Sequence, residues 1–530
     1  MTALLAAVTV VVTWPQAARI GTAVNDFGDP LLNSWTLAWV AHAIPAHPTA
    51  LFDANIFHPE TNTLAYSESL IVPALLVAPV LWAGGDPILA HNLVLLLGYV
   101  LSGLAMYVLV RSLTGRPSAA IIAAVAFTVY PYRIESYGKV QLQLIWWIPI
   151  ALWAMHRIGK QPAVRPALLL GAVVAAQFYS CVYYGVFGLA PLAIVALATH
   201  ITTLAPRARV NNMHMLAAVV SVVLCLPLLL AYQRAAAVVG ERTPDEVRHW
   251  SAEPRDFARA PADNAMYGDR ERPGPAERSL FPGYALPVVA AAALVPPISA
   301  PVVAYAVAAG LSADLAMGAN GWGYQALFDA VPPFRALRVP ARFAMMLGLA
   351  LAVLAGLGVA RLSKGRSRRV EIILAAAVTM AIVVESRPRS LDLSALADPR
   401  PDVYTWLAAQ PPGVVCEYPV GPLGGRTGPQ DPTYMYYSTD HWKPLVNGYS
   451  GFSPPSYGEL LDRLRTFPSD AAVGYLRQRG VTYLLVHSPF YLRGDFDADV
   501  RALRARGDLE AAGRFSWKGG GVSEVFRIRR

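Results

Sequence analysis

The chain has 530 residues, of which 55% are hydrophobic and 15% are charged, and its formal net charge at pH 7 is +9. Ordinary soluble proteins carry about 25% charged residues, so this chain has too little charge to cover a soluble globule. An aromatic content of 10% excludes intrinsic disorder, and three cysteines exclude a disulfide scaffold. The composition therefore predicts a polytopic membrane protein.

Uncharged apolar runs predict about eleven membrane-spanning helices, since a helix needs roughly 20 residues to cross the hydrocarbon core. The predicted spans are residues 1–18, 88–110, 118–132, 140–155, 166–181, 182–203, 211–232, 285–299, 301–317, 341–360 and 370–385. The first run has neither a basic segment before it nor a convincing cleavage site after it, which favours a retained span over a signal peptide.

The distribution of basic residues predicts the orientation of the chain. Twelve Lys and Arg, and no Asp or Glu, lie in the short loops 111–117, 156–165, 204–210 and 361–369. Because basic loops stay in the cytoplasm, these four share one side only if the apolar run 69–83 lies along the interface without crossing. This arrangement predicts a multi-pass protein of the plasma membrane with a cytoplasmic N-terminus. These loops also account for the net charge, so no nucleic-acid partner is implied.

Two domains are expected: a transmembrane domain, residues 1–385, and an extracytoplasmic α/β domain, residues 386–530. The second domain alternates strand-like runs at 413–418, 480–487 and 522–528 with helical runs at 403–409, 457–467, 472–479 and 497–505. Its segment 434–457 is a Tyr-, Ser-, Gly- and Pro-rich loop, of a kind that often binds sugars or simply covers a neighbouring surface. The predicted fold class is thus a polytopic α-helical membrane protein with a C-terminal α/β domain.

The first outer loop, residues 19–87, places Asp26 and Asp29 directly after the first span. A carboxylate at this depth can accept a proton from a hydroxyl or hold a divalent ion. The alternative is that Asp29 only caps the following helix and Asp26 is solvated. The spacing of Trp35 and Trp39 with their apolar neighbours predicts an amphipathic helix lying on the interface, with both indoles at headgroup depth.

Basic residues outside the cytoplasm form a second candidate site. Arg338 and Arg342 flank the start of the span at 341, beside unpaired backbone N–H groups that suit a phosphate. They could instead snorkel to lipid headgroups or pair with acids of the second outer loop, residues 233–284. Two further basic groups of this kind, Arg133 and Lys139, lie in a shorter outer loop.

Four polar side chains are candidates for binding an acceptor or a sugar: His58, Glu68, Tyr436 and His441. The two histidines lack metal-ligand spacing, which favours a satisfied structural histidine at each position. No metal motif, nucleophile elbow or phosphate-binding loop is present in the sequence.

The acidic motif Asp26-Phe27-Gly28-Asp29-Pro30, two interfacial helices and a span that ends in Arg111-Ser112-Leu113-Thr114-Gly115-Arg116 resemble the GT-C superfamily of integral membrane glycosyltransferases, including the protein-mannosyltransferase and lipid A aminoarabinose transferase types. The resemblance covers the first 230 residues. The motif departs from the adjacent acidic pair of well-studied members, which leaves the choice of base between Asp29 and Asp26.

The resemblance implies a polyprenyl-phosphate-linked sugar as donor and transfer, with inversion, to a hydroxyl of a lipid, glycan or protein outside the cytoplasm. Asp29, or else Asp26, would be the base, and the basic residues would hold the donor phosphate. No fixed cofactor is implied, although a divalent cation is allowed. A transporter is one alternative, but the predicted spans carry few ionisable groups near the midplane. A non-catalytic assembly or scaffold protein is the other.

Overall fold

The computed structural model describes residues 1–271, 274–421, 430–491 and 495–529. The chain forms two compact units. The first unit comprises residues 1–18, 94–227 and 241–391, and the second comprises residues 19–93, 228–240 and 392–530. The C-terminal segment of this unit thus begins close to the predicted boundary at 386, but it shares the unit with the whole first outer loop, residues 19–87.

Helices make up most of the fold. They are α1 (Thr2–Val12), α2 (Asp29–Ala46), α3 (Ile71–Trp82), α4 (Pro87–Thr114), α5 (Pro117–Thr128), α6 (Pro131–Glu135), α7 (Trp147–Lys160), α8 (Val164–Ser180), α9 (Val182–Thr202), α10 (Arg207–Val239), α11 (Pro244–His249), α12 (Ala285–Ala291), α13 (Ala300–Ala316), α14 (Tyr324–Ala330), α15 (Ala344–Leu362), α16 (Arg368–Ser386), α17 (Asp402–Ala408), α18 (Asp431–Ser438), α19 (Pro455–Arg463), α20 (Asp470–Gln478) and α21 (Phe496–Arg504).

Within the described residues, five helical segments are long and apolar enough to cross a membrane: Pro87–Thr114, Pro117–Glu135, Val182–Thr202, Arg207–Val239 and Pro340–Leu362. Five shorter apolar helices accompany them: Thr2–Val12, Ile71–Trp82, Val164–Ser180, Ala285–Leu294 and Ala300–Ala316. These helices support a multi-pass membrane protein, whereas the count of eleven spans stays a prediction. Several predicted spans are shorter as α-helices; the run 140–155, for example, becomes α-helical only at Trp147.

Helix α15 is the buried centre of the first unit and packs against α5, α12 and α13. Its sequence, Ala344–Leu362, carries small residues that let neighbouring helices approach closely. A Cβ at Gly348, for example, would lie 2.5 Å from the ring of Tyr130. Any larger residue there would push the two segments apart.

The second unit contains a four-stranded sheet with the strand order β1-β2-β4-β3. Its strands are β1 (Val414–Tyr418), β2 (Val481–His487), β3 (Leu509–Ser516) and β4 (Val522–Ile528). Strands β1 and β2 are parallel, and the other neighbours are antiparallel. The predicted C-terminal sheet is therefore confirmed, but β3 was not predicted, because this edge strand is mostly exposed and lacks an apolar run.

The first outer loop folds with the C-terminal segment. Val24 exchanges backbone hydrogen bonds of 2.9 and 2.7 Å with Ser394, and α2 packs against both α3 and α18. Helix α18 lies where the sequence predicted a loop from residue 434. Every residue of α2 from Pro30 to Ala41 is buried, including Trp35 and Trp39 at 1% and 8% exposure, so the helix is buried on all sides. The prediction of an amphipathic α2 with both indoles at an interface is wrong, because the opposite face carries small uncharged residues that are buried as well.

Candidate functional site

The acidic motif forms the turn that leads into α2. The helix begins at Asp29 with Gly28 as its N-cap, one residue earlier than predicted, and no side chain makes the capping hydrogen bond. The exposed carboxylate of Asp26 instead accepts hydrogen bonds from the Gly28 N–H at 2.7 Å and from Asn25 Nδ2 at 2.9 Å. Asp26 therefore stabilises the turn, and the alternative in which Asp29 is only a cap does not fit.

Asp29 is half-buried in the first turn of α2. Its Oδ1 accepts a hydrogen bond from Tyr449 Oη at 3.2 Å. Its other oxygen has no hydrogen-bond partner in the described part of the chain. An anchored carboxylate with one available oxygen is the arrangement that a general base requires.

Tyr449 is positioned by a fixed turn that begins at Asn447. The Asn447 side chain accepts from the Glu417 N–H at 2.8 Å and donates to Glu417 O and to Asp431 Oδ1, both at 3.0 Å. A Cβ on the next residue, Gly448, would lie 2.5 Å from the Phe57 ring, so the turn needs glycine there. Sequence reasoning identified this loop but not Tyr449, because its partner is 420 positions away in the chain.

In the first unit, the carboxylate of Glu277 forms ion pairs with both Arg342 and Lys139. Arg342 donates to both Glu277 oxygens, at 2.7 and 3.3 Å, and Lys139 Nζ lies 3.0 Å from Oε1. Tyr132 Oη donates to Oε2 at 3.1 Å. Burial disfavours the charged carboxylate, but the charges of Arg342 and Lys139 outweigh it and hold the pKa of Glu277 well below its usual range. Arg342 and Lys139 thus follow the alternative of pairing with an acid of the second outer loop.

Arg338 is arranged differently from Arg342. Its backbone N–H donates to Tyr183 Oη at 3.0 Å, while its half-buried guanidinium makes no hydrogen bond or ion pair with any described residue. The backbone of Arg242 donates to Arg335 O at 2.9 Å, which brings the side chain of Arg242 beside Arg338. Burial and then the positive charge of Arg338 lower the pKa of Arg242. The two positive charges therefore act on each other, which makes Arg338 and Arg242 candidates for binding an anion.

Sequence reasoning missed Arg242 and Glu277. Both lie in the second outer loop, where acids and bases are almost balanced, so neither stands out from its neighbours. Arg242 also pairs with Glu246 at 3.3 Å, as many surface residues do. Only the chain path beside Arg335 identifies it as part of a basic cluster.

Comparison with solved structures decides the fold. A mycobacterial arabinofuranosyltransferase, AftD, matches with a TM-score of 0.67 at 15% identity, covering 100% of this chain and 40% of that chain. An oligosaccharyltransferase from Archaeoglobus fulgidus in its apo form matches with a TM-score of 0.53 at 13% identity, covering 91% of this chain and 69% of that one. The chain therefore shares its fold with these two GT-C glycosyltransferases. This confirms the predicted resemblance. The chain spans about two fifths of the AftD chain. No family model and no curated protein matches it.

Two of the candidate acceptor-binding residues have structural contacts in this GT-C fold. Tyr436 Oη donates to Asp86 Oδ2 at 2.8 Å, and the other Asp86 oxygen accepts from the Ile88 N–H at the start of α4. Burial and the charge of Asp86 raise the pKa of Tyr436. His441 Nδ1 accepts from the Lys443 N–H at 2.9 Å, and burial followed by the charge of Lys443 lowers the pKa of His441 to about 3. His441 is therefore neutral at physiological pH.

The other two acceptor candidates lie in the second unit as well. Glu68 is buried, at 9% exposure. His58 is half-buried, and burial together with the charge of Arg479 lowers the pKa of His58. A neutral imidazole can donate one hydrogen bond and accept another, which suits a hydroxyl.

Arg133 does not fit the predicted phosphate-binding role. It is 0% exposed, and it donates to Gln143 Oε1 at 3.1 Å and to the carbonyl oxygens of Gly98 and Gln143 at 3.1 and 3.0 Å. The planar guanidinium of Arg133 therefore links the segment after α6 to helix α4. We correct its assignment to a structural one, because an anion would have to displace these internal bonds.

The second unit contains a buried line of three side chains in contact with one another, Ser523, His487 and Glu417. Their order resembles the catalytic triad of a hydrolase. His487 Nδ1 and Ser523 Oγ are 2.6 Å apart, and the other ring nitrogen contacts Glu417. All three side chains are 0% exposed, and Trp517 Nε1 also donates to Ser523 Oγ at 2.6 Å. A substrate cannot reach a hydroxyl sealed in this way, so the line stabilises the sheet. No group of three or more His, Cys, Asp or Glu among the described residues could hold a metal ion.

Asp431 lies next to this line, and we expect it to make the free energy of unfolding depend on pH. Burial raises the pKa of Asp431 to about 6. A carboxyl whose folded-state pKa is raised holds its proton more tightly when folded, so it favours the folded state more as the pH falls from about 6 towards about 4. Native protein should therefore gain on the order of 2 kcal/mol relative to Asp431→Asn between pH 7.5 and 4.5. Chemical denaturation at both pH values measures this gain. Exposed Asp462→Asn is the control, and parallel pH profiles for native and Asp431→Asn chains would contradict the assignment.

Proposed function

We propose that this chain is a membrane glycosyltransferase that moves a sugar from a polyprenyl-phosphate donor to a hydroxyl acceptor outside the cytoplasm, with inversion at the anomeric carbon. The observation that carries the proposal is the Asp29 carboxylate, which Tyr449 anchors through one oxygen while the other oxygen is available. The GT-C fold and the apolar helices support a membrane enzyme of this class.

The reaction needs a group that takes a proton. The acceptor hydroxyl has a high pKa, so it attacks the anomeric carbon efficiently only if a carboxylate removes its proton during attack. Asp29 is our first choice for this base and Asp26 the second, because both Asp26 oxygens already accept hydrogen bonds within the turn. Attack from the side opposite the phosphate forms the new glycosidic bond as the bond to the phosphate oxygen breaks, which inverts the configuration.

The reaction also needs groups that stabilise the leaving phosphate. The phosphate oxygen takes the electron pair of the broken bond, and preorganised cations lower the energy of this developing charge. Arg338 suits this role, since its guanidinium makes no hydrogen bond or ion pair with any described residue, and Arg242 adds a second positive charge that Arg338 influences. Arg342 and Lys139 are already neutralised by Glu277, so we propose that they support the site without touching the phosphate.

Replacing Arg338 or Arg242 by Ala should lower kcat/KM for the donor by about 10- to 100-fold, because each change removes a charge-assisted hydrogen bond to phosphate. Arg338→Lys should recover only part of the loss, since Lys cannot bind in a bidentate manner. The assay uses full chain in lipid nanodiscs, radiolabelled polyprenyl-phosphate sugars and membrane glycans as acceptors. Exposed Arg366→Ala is the matched control. Equal donor kinetics in the native, Arg338→Ala and Arg242→Ala chains would remove both residues from the site.

The same assay tests the proposed function itself. Transfer of label from a polyprenyl-phosphate sugar to a glycan, lipid or protein by the native chain supports the proposal, and the labelled product identifies the acceptor. If a correctly folded native chain transfers no sugar from hexose or pentose donors, the proposal fails and a scaffold role takes its place.

A further inference from the structure

The second unit contains a cavity of about 240 Å³ near the middle of the first outer loop. Its lining combines two indoles with carboxylates, an amide and an imidazole: Trp39, Trp442, Asp53, Asn55, His58 and Glu60. Pockets for drug-sized ligands usually measure about 300–1,000 Å³, so this cavity suits one small ring-shaped unit.

An aromatic wall closes one side of the cavity. Trp442 stacks on His42 with ring centroids 4.4 Å apart and meets Trp39 edge-on at 5.7 Å. Trp442 also has a φ of +52°, a left-handed conformation that bulky residues rarely adopt. Its N–H, bonded to Ser438 O at 2.7 Å, helps to hold it there. Strained residues of this kind concentrate at ligand-binding sites.

The cavity lining also contains polar groups that make few or no hydrogen bonds within the described chain. Glu60 and His58 make no side-chain hydrogen bond within the described chain, and both are half-buried. Asp53 accepts from the Asn62 N–H through Oδ1 at 2.8 Å, which leaves Oδ2 available. Carboxylates accept hydrogen bonds strongly, and a neutral imidazole can both accept and donate.

These features together specify the chemistry of the ligand. No Lys or Arg is among the described residues that line the cavity, so an anion such as phosphate is disfavoured. A ligand that places several hydroxyl donors on carboxylates and an apolar face on an indole is a neutral sugar ring. A flat apolar ligand would leave the carboxylates unpaired at the edge of the cavity.

Helix α2 connects this cavity to the proposed base. Asp29 is its first residue and Trp39 lies ten residues further on, roughly 15 Å along the axis at about 1.5 Å per residue. We propose that the cavity binds a sugar unit of the acceptor at a distance from the reacting hydroxyl, so that the acceptor is an existing oligosaccharide chain. The identification of this sugar as part of the acceptor rests on the proposed function. The sugar site itself rests on the cavity.

Binding without turnover tests the cavity directly. Saturation-transfer NMR on the full chain in nanodiscs uses mannotriose, an α-arabinofuranosyl trisaccharide and the matching monosaccharides as probes. A trisaccharide should bind the native chain, and Glu60→Gln and Trp442→Ala should each weaken this binding by about tenfold or more. Trp406→Ala, which removes a half-exposed indole elsewhere in the unit, is the control and should bind as the native chain does. Glu60→Gln removes no internal hydrogen bond, so it keeps the test valid if Trp442→Ala does not fold.

The outcomes separate this inference from the proposed function. Trisaccharide binding that depends on Glu60 but no transfer from any donor would overturn the proposed function and leave the sugar site. Transfer with an unchanged acceptor KM in Glu60→Gln and Trp442→Ala would overturn the sugar site and leave the proposed function. Absence of binding by the native chain to both trisaccharides would also overturn the sugar site.

Discussion

Asp29→Asn should lower kcat for sugar transfer by about 10²- to 10⁴-fold, the range that a positioned general base contributes. Asn has nearly the same shape and can still accept the hydrogen bond from Tyr449, but it cannot take the proton of the acceptor hydroxyl. Donor KM should change little, because this change leaves the basic residues of the first unit untouched. The measurement is single-turnover and steady-state transfer of radiolabelled sugar by the full chain in nanodiscs.

Two further variants make this result specific. Tyr449→Phe removes only the hydroxyl that holds Asp29 Oδ1, and it should lower kcat by about tenfold, the effect expected for one hydrogen bond to a charged group. Asp26→Asn loses part of the turn that precedes α2 and should cost less than Asp29→Asn. If Asp26→Asn abolishes transfer while Asp29→Asn does not, the base is Asp26. Native-like turnover in both variants would show that neither carboxylate takes the proton.

Glu277→Ala should destabilise the first unit by about 3–5 kcal/mol, because it leaves the buried guanidinium of Arg342 without its counter-charge. The side chains of Arg342 and Glu277 are only 9% and 6% exposed, and Lys139 shares the same carboxylate. Water therefore cannot replace the lost partner of Arg342, whereas the Lys139 side chain is 27% exposed and stays partly hydrated. Denaturant titration of the full chain in mixed micelles, followed by tryptophan fluorescence, measures the loss.

A double replacement shows whether charge is the cause. Glu277→Leu with Arg342→Met removes both charges at similar volume and should recover most of the stability, as apolar replacements of buried ion pairs often do. Asp245→Ala breaks the exposed pair with Arg248 and should behave as the native chain does. If Glu277→Ala is as stable as Asp245→Ala, the cluster is hydrated and does not stabilise the unit.

Local patterns in the sequence identified several parts of the protein correctly. The low charge and the apolar runs predicted a helical membrane protein, and alternating runs predicted three of the four strands in its C-terminal sheet. The motif around Asp26 and Asp29, with two helices predicted to be interfacial, was the basis of the resemblance to GT-C glycosyltransferases, and the solved structures confirm that resemblance at the level of the fold. Such features depend on residues within one or two turns of each other, so they can be read from the chain directly.

Long-range packing decided what the individual side chains do. Asp29 meets Tyr449 across 420 positions, and Arg342 meets Glu277 across 65. Neither partner is implied by local spacing, because each contact forms only when distant segments pack together.

The sequence by itself thus determined that the protein is a helical membrane protein with an acidic motif after its first apolar helix, since composition and periodicity reflect the solvent that each segment meets. Only the tertiary structure decided that α2 is buried and that the guanidinium of Arg133 is used in internal hydrogen bonds. It also decided that the positive charge of Arg338 acts on Arg242. The physical reason is that burial and pairing depend on the neighbours a residue acquires on folding, and one amphipathic pattern is compatible with a lipid surface or with another part of the chain.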